Sequence, residues 1–397
     1  MLVDKFLYND TILKQIFKIK EKDYCGDIIR RIEYNWKKIK KIEEFSKLES
    51  CEQNPKWHGE GDAWKHTQLV CESAEKCVEF MWAENGYIHK EEYFDNALLL
   101  LTAALFHDIG KIRTTKLGKD GNWHSYNHEY EGEKITRKLL WDTGYEFREK
   151  VCALVKYHMI PLSIFDRKDY INEIAKIGSV CQWHLLITLK KCDLDGSIQQ
   201  DKYKSAEYRK LVELRSISSE MLNLIPLIVK RKFAYQREMD YIDKKMLSLI
   251  VMIGLPGSGK DTYIKDHYNS DKYAVISRDD IRAELGFCKD DEKIVGSSKQ
   301  EEEVTRLFNE KMLEAAKQGK TIVINNINLK KEYREGYVKL LSNYNLNVQY
   351  VYVEASSLSK NIERRKGQID KKVFDSIIEK LEWPLPYEYD KFIVAKN

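Results

Sequence analysis

The sequence predicts a multi-domain protein in which an all-α N-terminal bundle precedes an α/β domain built on a parallel sheet. Apolar residues step at three- and four-residue intervals as far as about residue 235. Beyond Lys245, short β-rich runs alternate with helical stretches, the pattern of parallel strands joined by crossover helices. A chain of 397 residues also exceeds one comfortable core at a prior of about 150 residues per domain. The expected division is an all-α domain over 1–235, a connector over 236–245 and an α/β domain over 246–397.

In the first part, Leu69, Val70, Ala74, Cys77, Val78 and Met81 predict a helix from Asp62 to Glu84, with Asp62 as its cap and Gly86 as a stop. Asn96 to His107 is almost wholly apolar and reads as a central buried helix that Gly110 ends. Residues 1–50 read only as amphipathic helix. The connector is charged and lacks Gly and Pro, which favours a semi-rigid helical link. In the second part the expected strands are Leu247–Ile253, Tyr273–Ile276, Thr321–Ile324, Val348–Val353 and Phe392–Ala395.

An apolar share of 43% with 33% charged residues is that of an ordinary soluble globular protein, and six prolines and nineteen glycines leave no room for a long disordered tract. A net charge of +4 over this length neither demands nor excludes a nucleic-acid partner, which would need a local basic groove. No apolar run reaches the roughly 18 residues of a membrane span, and Met1-Leu-Val-Asp-Lys lacks the order of a secretory signal, so a cytoplasmic protein without a membrane partner is expected. The eight cysteines contain no Cys-x-x-Cys and read as free thiols.

Chemistry is concentrated in two places. His66, His107-Asp108, His128, His158 and Asp193 string imidazoles and carboxylates along the first part. A lone histidine on an apolar helix face is more often a satisfied core residue than a ligand. An ionisable pair ending an aliphatic helix, as His107-Asp108 does, is costly to bury unless a metal or partner charge compensates. Imidazole with carboxylate suits Mn, Fe, Co, Ni or Zn better than Mg. His124 and Asp195 are the rivals of His128 and Asp193; His89 and His184 read as structural, and His58 as lying near the mouth.

The second place is Gly254-Leu-Pro-Gly-Ser-Gly-Lys260, directly after the apolar run 248–253. Glycines let backbone amides curl round the phosphates of ATP or another nucleoside triphosphate bound with Mg, and Lys260 reaches the β and γ phosphates. Gly254, Pro256, Gly257, Ser258, Gly259, Lys260, Asp261 and Thr262 are the candidate nucleotide contacts. Asp261 stands where Ser or Thr usually binds Mg, and Asn326 where the acidic end of the Walker B strand is usual. The two departures are expected to compensate, Asp261 supplying the carboxylate that Asn326 lacks. After the second strand, Asp279 can take a proton from an attacking hydroxyl and Arg282, one turn on, can hold a neighbouring phosphate; the bland alternative is a charged helix start.

The order His, His-Asp, His, His, Asp, with His107-Asp-Ile-Gly-Lys111, resembles the HD superfamily of metal-dependent phosphohydrolases over about residues 50–200. That resemblance implies a helical bundle in which His66, His107, Asp108 and Asp193 hold one metal and His128 and His158, with Asp108 bridging, a second; Lys111 would neutralise substrate phosphate. The stretch 54–66 and Ser125-Tyr-Asn-His-Glu129 are similar to the HD branch attached to RNA-processing enzymes. The second part resembles the 5'-OH polynucleotide kinases. There Asp279 would be the general base and Arg282 an acceptor contact; Asn326-Ile-Asn-Leu329 would form the acceptor loop, with Asn326 and Asn328 as substrate contacts, and Arg364 or Arg365 would close on the donor phosphates.

Together the halves resemble a bacterial family of HD-domain polynucleotide kinases that heal broken RNA or DNA ends. The resemblance implies 5'-OH phosphorylation, removal of 2',3'-cyclic phosphate and 3'(2')-phosphate, and a ligase acting downstream. Two other readings stay open: an HD nucleotide phosphohydrolase fused to a small-molecule or nucleoside kinase, and an HD phosphohydrolase regulated by a nucleotide-sensing P-loop module that transfers nothing.

Overall fold

The computed structural model describes residues 12–24, 27–85, 90–199, 201–221, 244–287, 298–354, 357–365 and 369–396. The chain divides into two compact units, Met1–Val229 and Lys230–Asn397. Apart from Lys244 and Lys245, the predicted connector lies outside the described residues, as do Gly86 and His89.

Among the described residues of the first unit, one helical turn, Leu13–Ile16, runs into a β-hairpin, β1 (Phe17–Tyr24) paired antiparallel with β2 (Asp27–Tyr34), where the sequence suggests helix throughout. The pairing sets Phe17 against Tyr34 and Ile19 against Ile32, so cross-strand partners outweigh the helix-like spacing of either strand alone. Helices follow: α1 (Ala63–Asn85), α2 (Lys90–Phe106), α3 (His128–Leu139), α4 (Tyr145–Tyr157), α5 (Tyr170–Gly178), α6 (Trp183–Gly196) and α7 (Asp201–Met221). Asp62 caps α1 by accepting the Lys65 N–H at 2.8 Å. From Ala97 to Phe106, α2 is buried on every side, which makes it the axis of the bundle.

Two glycines let helices approach closely. A Cβ on Gly196 would lie 2.8 Å from the Val70 nitrogen, where α6 crosses α1. Gly110 does not end α2, which stops at Phe106; with φ −68° it has no left-handed duty. A Cβ there would lie 1.9 Å from the His128 carbonyl oxygen and 2.5 Å from the Gly132 nitrogen, so its role is to admit the start of α3. A short hairpin, β3 (Lys116–Leu117) with β4 (Trp123–His124), leads into that start.

The second unit is a five-stranded parallel sheet in the order β6-β7-β5-β8-β9: β5 (Met246–Ile253), β6 (Tyr273–Ile276), β7 (Thr321–Ile324), β8 (Asn345–Glu354) and β9 (Lys391–Lys396). All five strands fall on the runs that the sequence marks. Leu247 and 249–253 of β5 are buried, as a central strand covered on both faces requires. Its helices are α8 (Lys260–His267), α9 (Arg278–Glu284), α10 (Ser298–Lys317), α11 (Lys331–Leu340), α12 (Leu358–Arg364) and α13 (Lys371–Glu379). No described helix is long and apolar enough to cross a membrane.

Candidate functional site

Helix ends bring the first site together. His66 sits in the first turn of α1, His107-Asp108 follow the end of α2, His128 opens α3, His158 follows α4, and Asp193 lies in the last turn of α6. All six are buried. Each imidazole is oriented from behind: the Nδ1–H groups of His107, His128 and His158 donate to the carbonyls of Ala104, Ser125 and Val155 at 2.8, 2.8 and 2.7 Å. His66 Nδ1 instead faces Glu60 Oε1 at 2.7 Å. For His107, His128 and His158 this fixes Nε2 as a lone pair aimed inward, the arrangement that metal-ligating histidines use.

Two groups result. His66, His107 and Asp193 form one, and Asp108, His128 and His158 the other. Asp108 joins them: its Oδ2 lies 3.3 Å from His107 Nε2 and 3.6 Å from His66 Nε2, while its Oδ1 lies 3.2 Å from His128 Nε2 and 3.9 Å from His158 Nε2. Nε2 atoms sit 3.4 Å apart in the His66–His107 pair and 3.2 Å apart in the His128–His158 pair. Facing lone pairs at that distance repel without a cation or proton between them. Ligands about 2.0–2.1 Å from one tetrahedral ion are roughly 3.4 Å apart, so the donor set and its spacing fit divalent metals.

The electrostatics agree. Burial pushes the Asp108 carboxyl up, but Lys111 and His107 outweigh it and hold Asp108 well below the usual range. Asp193 is likewise held far down by Lys190 and His66 against its burial. Burial lowers His66, yet Asp193 and Glu60 raise it to about 9, whereas burial and the neighbouring His128 push His158 well below its ordinary value. The site is a sink for positive charge at one end and resists protonation at the other.

The rivals go elsewhere. Asp195 accepts from Ser73, Lys191 and Tyr208, and His124 pairs with Asp120 at the surface. Lys111, expected to face substrate phosphate, is turned inward: its Nζ lies 2.6 Å from Asp108 Oδ2 and donates to Gln53 Oε1 at 2.5 Å. Sequence reasoning missed Glu60, which sits between His66 and His58 and is 2.9 Å from His58 Nδ1. It missed Lys190 too, although a lysine one turn before Asp193 was a readable signal. His184 is exposed on α6.

The second site lies at the end of β5. Gly257 and Gly259 take φ of 75° and 99°, which favour glycine, and the loop passes straight into α8 at Lys260. Lys260 Nζ folds back to donate to the carbonyls of Gly254 and Leu255, each at 3.0 Å, and burial lowers its pKa to about 8. From α12, Arg364 donates to the Gly257 carbonyl at 3.1 Å and Asn361 to that of Pro256 at 3.3 Å, which holds Arg364 and Arg365 against the loop. Ser258 is buried, while Asp261 and Thr262 lie exposed on the first turn of α8.

Beyond β6, Ser277 caps α9 by accepting the Asp279 and Asp280 N–H groups. The Asp279 side chain is 93% exposed and bonds Arg282 at 2.6 Å; Arg282 also pairs with Glu301, which takes Arg278 as well. Two expectations need correction. Asp261 meets Asn325, whose Nδ2 donates to Asp261 Oδ1 at 2.7 Å, whereas Asn326 accepts the Arg278 N–H and so serves the start of α9. Asn328, expected to touch substrate, is 3% exposed with φ 51°; its amide donates to Met252 O and its Oδ1 accepts from Tyr337, so it braces the loop from inside.

Residues 66–180 match the HD domain family and residues 249–384 an AAA domain family. A protein of Autographa californica nuclear polyhedrosis virus, provisionally named a bifunctional polynucleotide kinase/RNA ligase, is 30% identical over 176 residues. That match covers 42% of this chain and 24% of the relative, so the chain spans about a quarter of the curated relative's length. Among solved structures, a chain of the Pnkp1/Rnl/Hen1 RNA repair complex is 23% identical over 35% of this chain and 44% of that chain, with a TM-score of 0.30. A Sinorhizobium meliloti gluconokinase is 18% identical over 38% of this chain and 84% of that chain, with a TM-score of 0.26. The chain thus carries an HD domain followed by a P-loop domain.

Proposed function

We propose that this protein heals broken nucleic-acid ends at two sites, the HD domain removing 2',3'-cyclic phosphate and 3'(2')-phosphate and the P-loop domain phosphorylating the 5'-OH from a nucleoside triphosphate. The observation that carries the reading is the pair of inward-facing side-chain groups that Asp108 joins, a donor set suited to two-metal phosphoester hydrolysis, on one chain with a P-loop. The curated relative's name, which pairs polynucleotide kinase with RNA ligase, supports the same direction.

In the HD site, His66, His107 and Asp193 would hold one divalent transition metal and His128 and His158 another, with Asp108 between them. Two such ions supply Lewis-acid charge at the phosphoester and bring the pKa of a water toward neutrality. The backbone carbonyls behind three of the imidazoles and Glu60 behind the fourth keep the ligand atoms aimed. Lys111 and Lys190 keep the two carboxylates ionised.

In the P-loop site, Lys260 leaves its two carbonyls for the β and γ phosphates of an Mg-bound nucleotide. Asp279 takes the proton of the 5'-OH, whose oxygen attacks the γ-phosphorus as the bond to the bridging oxygen breaks and the diphosphate leaves. Arg364 and Arg365 meet the charge that develops there, and Arg282 meets the acceptor strand's phosphate. The products, a 5'-phosphate and a free 3' end, are what a ligase consumes.

The test is an RNA oligomer with a 5'-OH and a 2',3'-cyclic phosphate, given ATP with Mg and, separately, Mn or Ni, to wild type, Lys260→Ala and Asp108→Ala. A 5'-phosphate lost only in Lys260→Ala, with 3' healing lost only in Asp108→Ala, supports the reading. Unchanged ends with consumption of free nucleotides would replace it with nucleotide metabolism.

A further inference from the structure

The residues just before the HD ligands carry an exposed aromatic surface that the reading above leaves without a task. Trp57 is 36% exposed, the sole exposed tryptophan among the described residues. Its ring meets that of Tyr203 at 5.2 Å and 62°, and Lys56 Nζ lies 4.6 Å from the Trp57 centroid and 5.4 Å from that of Tyr203. A cation over two partly exposed rings is poorly explained as core packing.

This surface is tied to the metal-ligand cluster. The Trp57 and His58 N–H groups both bond the Asn54 carbonyl at 3.0 Å, so a tight turn fixes both side chains. The His58 ring then packs edge-on against His66 at 4.6 Å. On the far side, Gly59 N–H donates to the Ile198 carbonyl and Ile198 N–H to Glu60, each at 2.8 Å, while Lys204 Nζ donates to Ser197 O at 2.9 Å. The two rings therefore come from segments bonded to each other and to Glu60, the residue behind His66.

We infer that Lys56, Trp57 and Tyr203 form a nucleobase platform beside the HD site, which seats the single-stranded end whose terminal phosphate the site processes. The inference rests on the end-healing reading and names how its substrate is held. Base faces stack on aromatic rings regardless of sequence, and a lysine among the rings answers the strand's phosphates. The charge and flat rings fit a nucleic acid better than a purely apolar protein surface.

The experiment compares full-length, metal-replete wild type, Trp57→Ala, Trp57→Phe and Tyr203→Ala on two substrates: an oligomer ending in a 2',3'-cyclic phosphate, and methyl riboside 2',3'-cyclic phosphate, which has no base. A stacking role raises KM for the oligomer roughly ten- to a hundredfold in Trp57→Ala, largely restored in Trp57→Phe, with the base-free ester unchanged. Equal losses on both substrates would make Trp57 a structural residue and overturn the inference, as would no change on either. If wild type cleaves the base-free ester but no oligomer end, the end-healing reading fails by itself. Fluorescence anisotropy of a labelled single strand then decides the platform: weaker binding by Trp57→Ala supports it, and equal or absent binding overturns it.

Discussion

Asp261 offers the sharpest test of the P-loop site, because it departs from the usual hydroxyl and meets Asn325, the first residue after β7 and the neighbour of Asn326, at 2.7 Å. Asn325 donates to Oδ1, which leaves Oδ2 free to face a cation. If the carboxylate has moved from the strand end to the helix start, exchanging the pair should restore the usual arrangement. Asp261→Ser alone removes a charge-assisted contact of about 1.5–3 kcal/mol, which corresponds to a loss of roughly 10- to 150-fold in kcat/KM. Asn325→Asp alone sets two carboxylates side by side and should also be harmful. The double variant should recover part of both losses, with a coupling of about 0.5–3 kcal/mol. Phosphate transfer measured against Mg concentration, with MgADP binding by calorimetry as a readout independent of turnover, checks all four proteins. A neutral or activating Asp261→Ser, or a double variant no better than its worse parent, would refute the reasoning.

Gly110→Ala drives a methyl into the His128 carbonyl and the Gly132 nitrogen, so it should displace His128 and cut bound metal, read by plasma emission spectroscopy, even where the bundle still folds. Arg334 is fully buried, lies 2.9 Å from Glu388 and donates to the Asn328 and Leu329 carbonyls; Arg334→Met strands Glu388 and should cost about 3–5 kcal/mol by chemical denaturation of the P-loop unit. His66 has a folded pKa of about 9, above its ordinary 6.5, so in chelator-treated protein its stabilisation, roughly 3 kcal/mol at most, is complete below pH 6.5 and is lost as pH rises through 9. Thermal melting from pH 6 to 10 should show that decline in the chelated protein and not in the metal-replete protein, where a metal on Nε2 leaves no second proton to lose.

The elements legible in the sequence are those whose signal is local. Four strands of the parallel sheet contain a contiguous apolar run and β8 an alternating one, broken by Asn347 and Gln349, signals that need no knowledge of a partner, and α2 announces itself by ten consecutive residues, Ala97 to Phe106, with a single hydroxyl among them. The β1–β2 hairpin is different. Its strands are charged, and Ile28 and Ile32 stand four apart as on a helix, so only the pairing of Phe17 with Tyr34 reveals the strand. Glu60 was unreadable for a related reason: six residues before His66, outside the helix, no periodicity connects the two side chains that meet.

The two sites differ in legibility because they are assembled differently. Every candidate HD ligand stands at or near a helix end, where the turn that ends or begins the helix sets the direction of the side chain within one residue. Residue type and order then mark side chains that the fold does bring together, and Asp193 separates from Asp195 because the first faces His66 while the second is taken by Ser73, Lys191 and Tyr208. The P-loop site draws instead on the loop after β7, where Asn325, Asn326 and Asn328 share a chemistry but not a direction. One bonds Asp261, the next the start of α9, and the third, in the left-handed region, turns into the core. A one-residue shift there changes which amide meets the nucleotide side, and backbone torsion, which the sequence does not print, decides it.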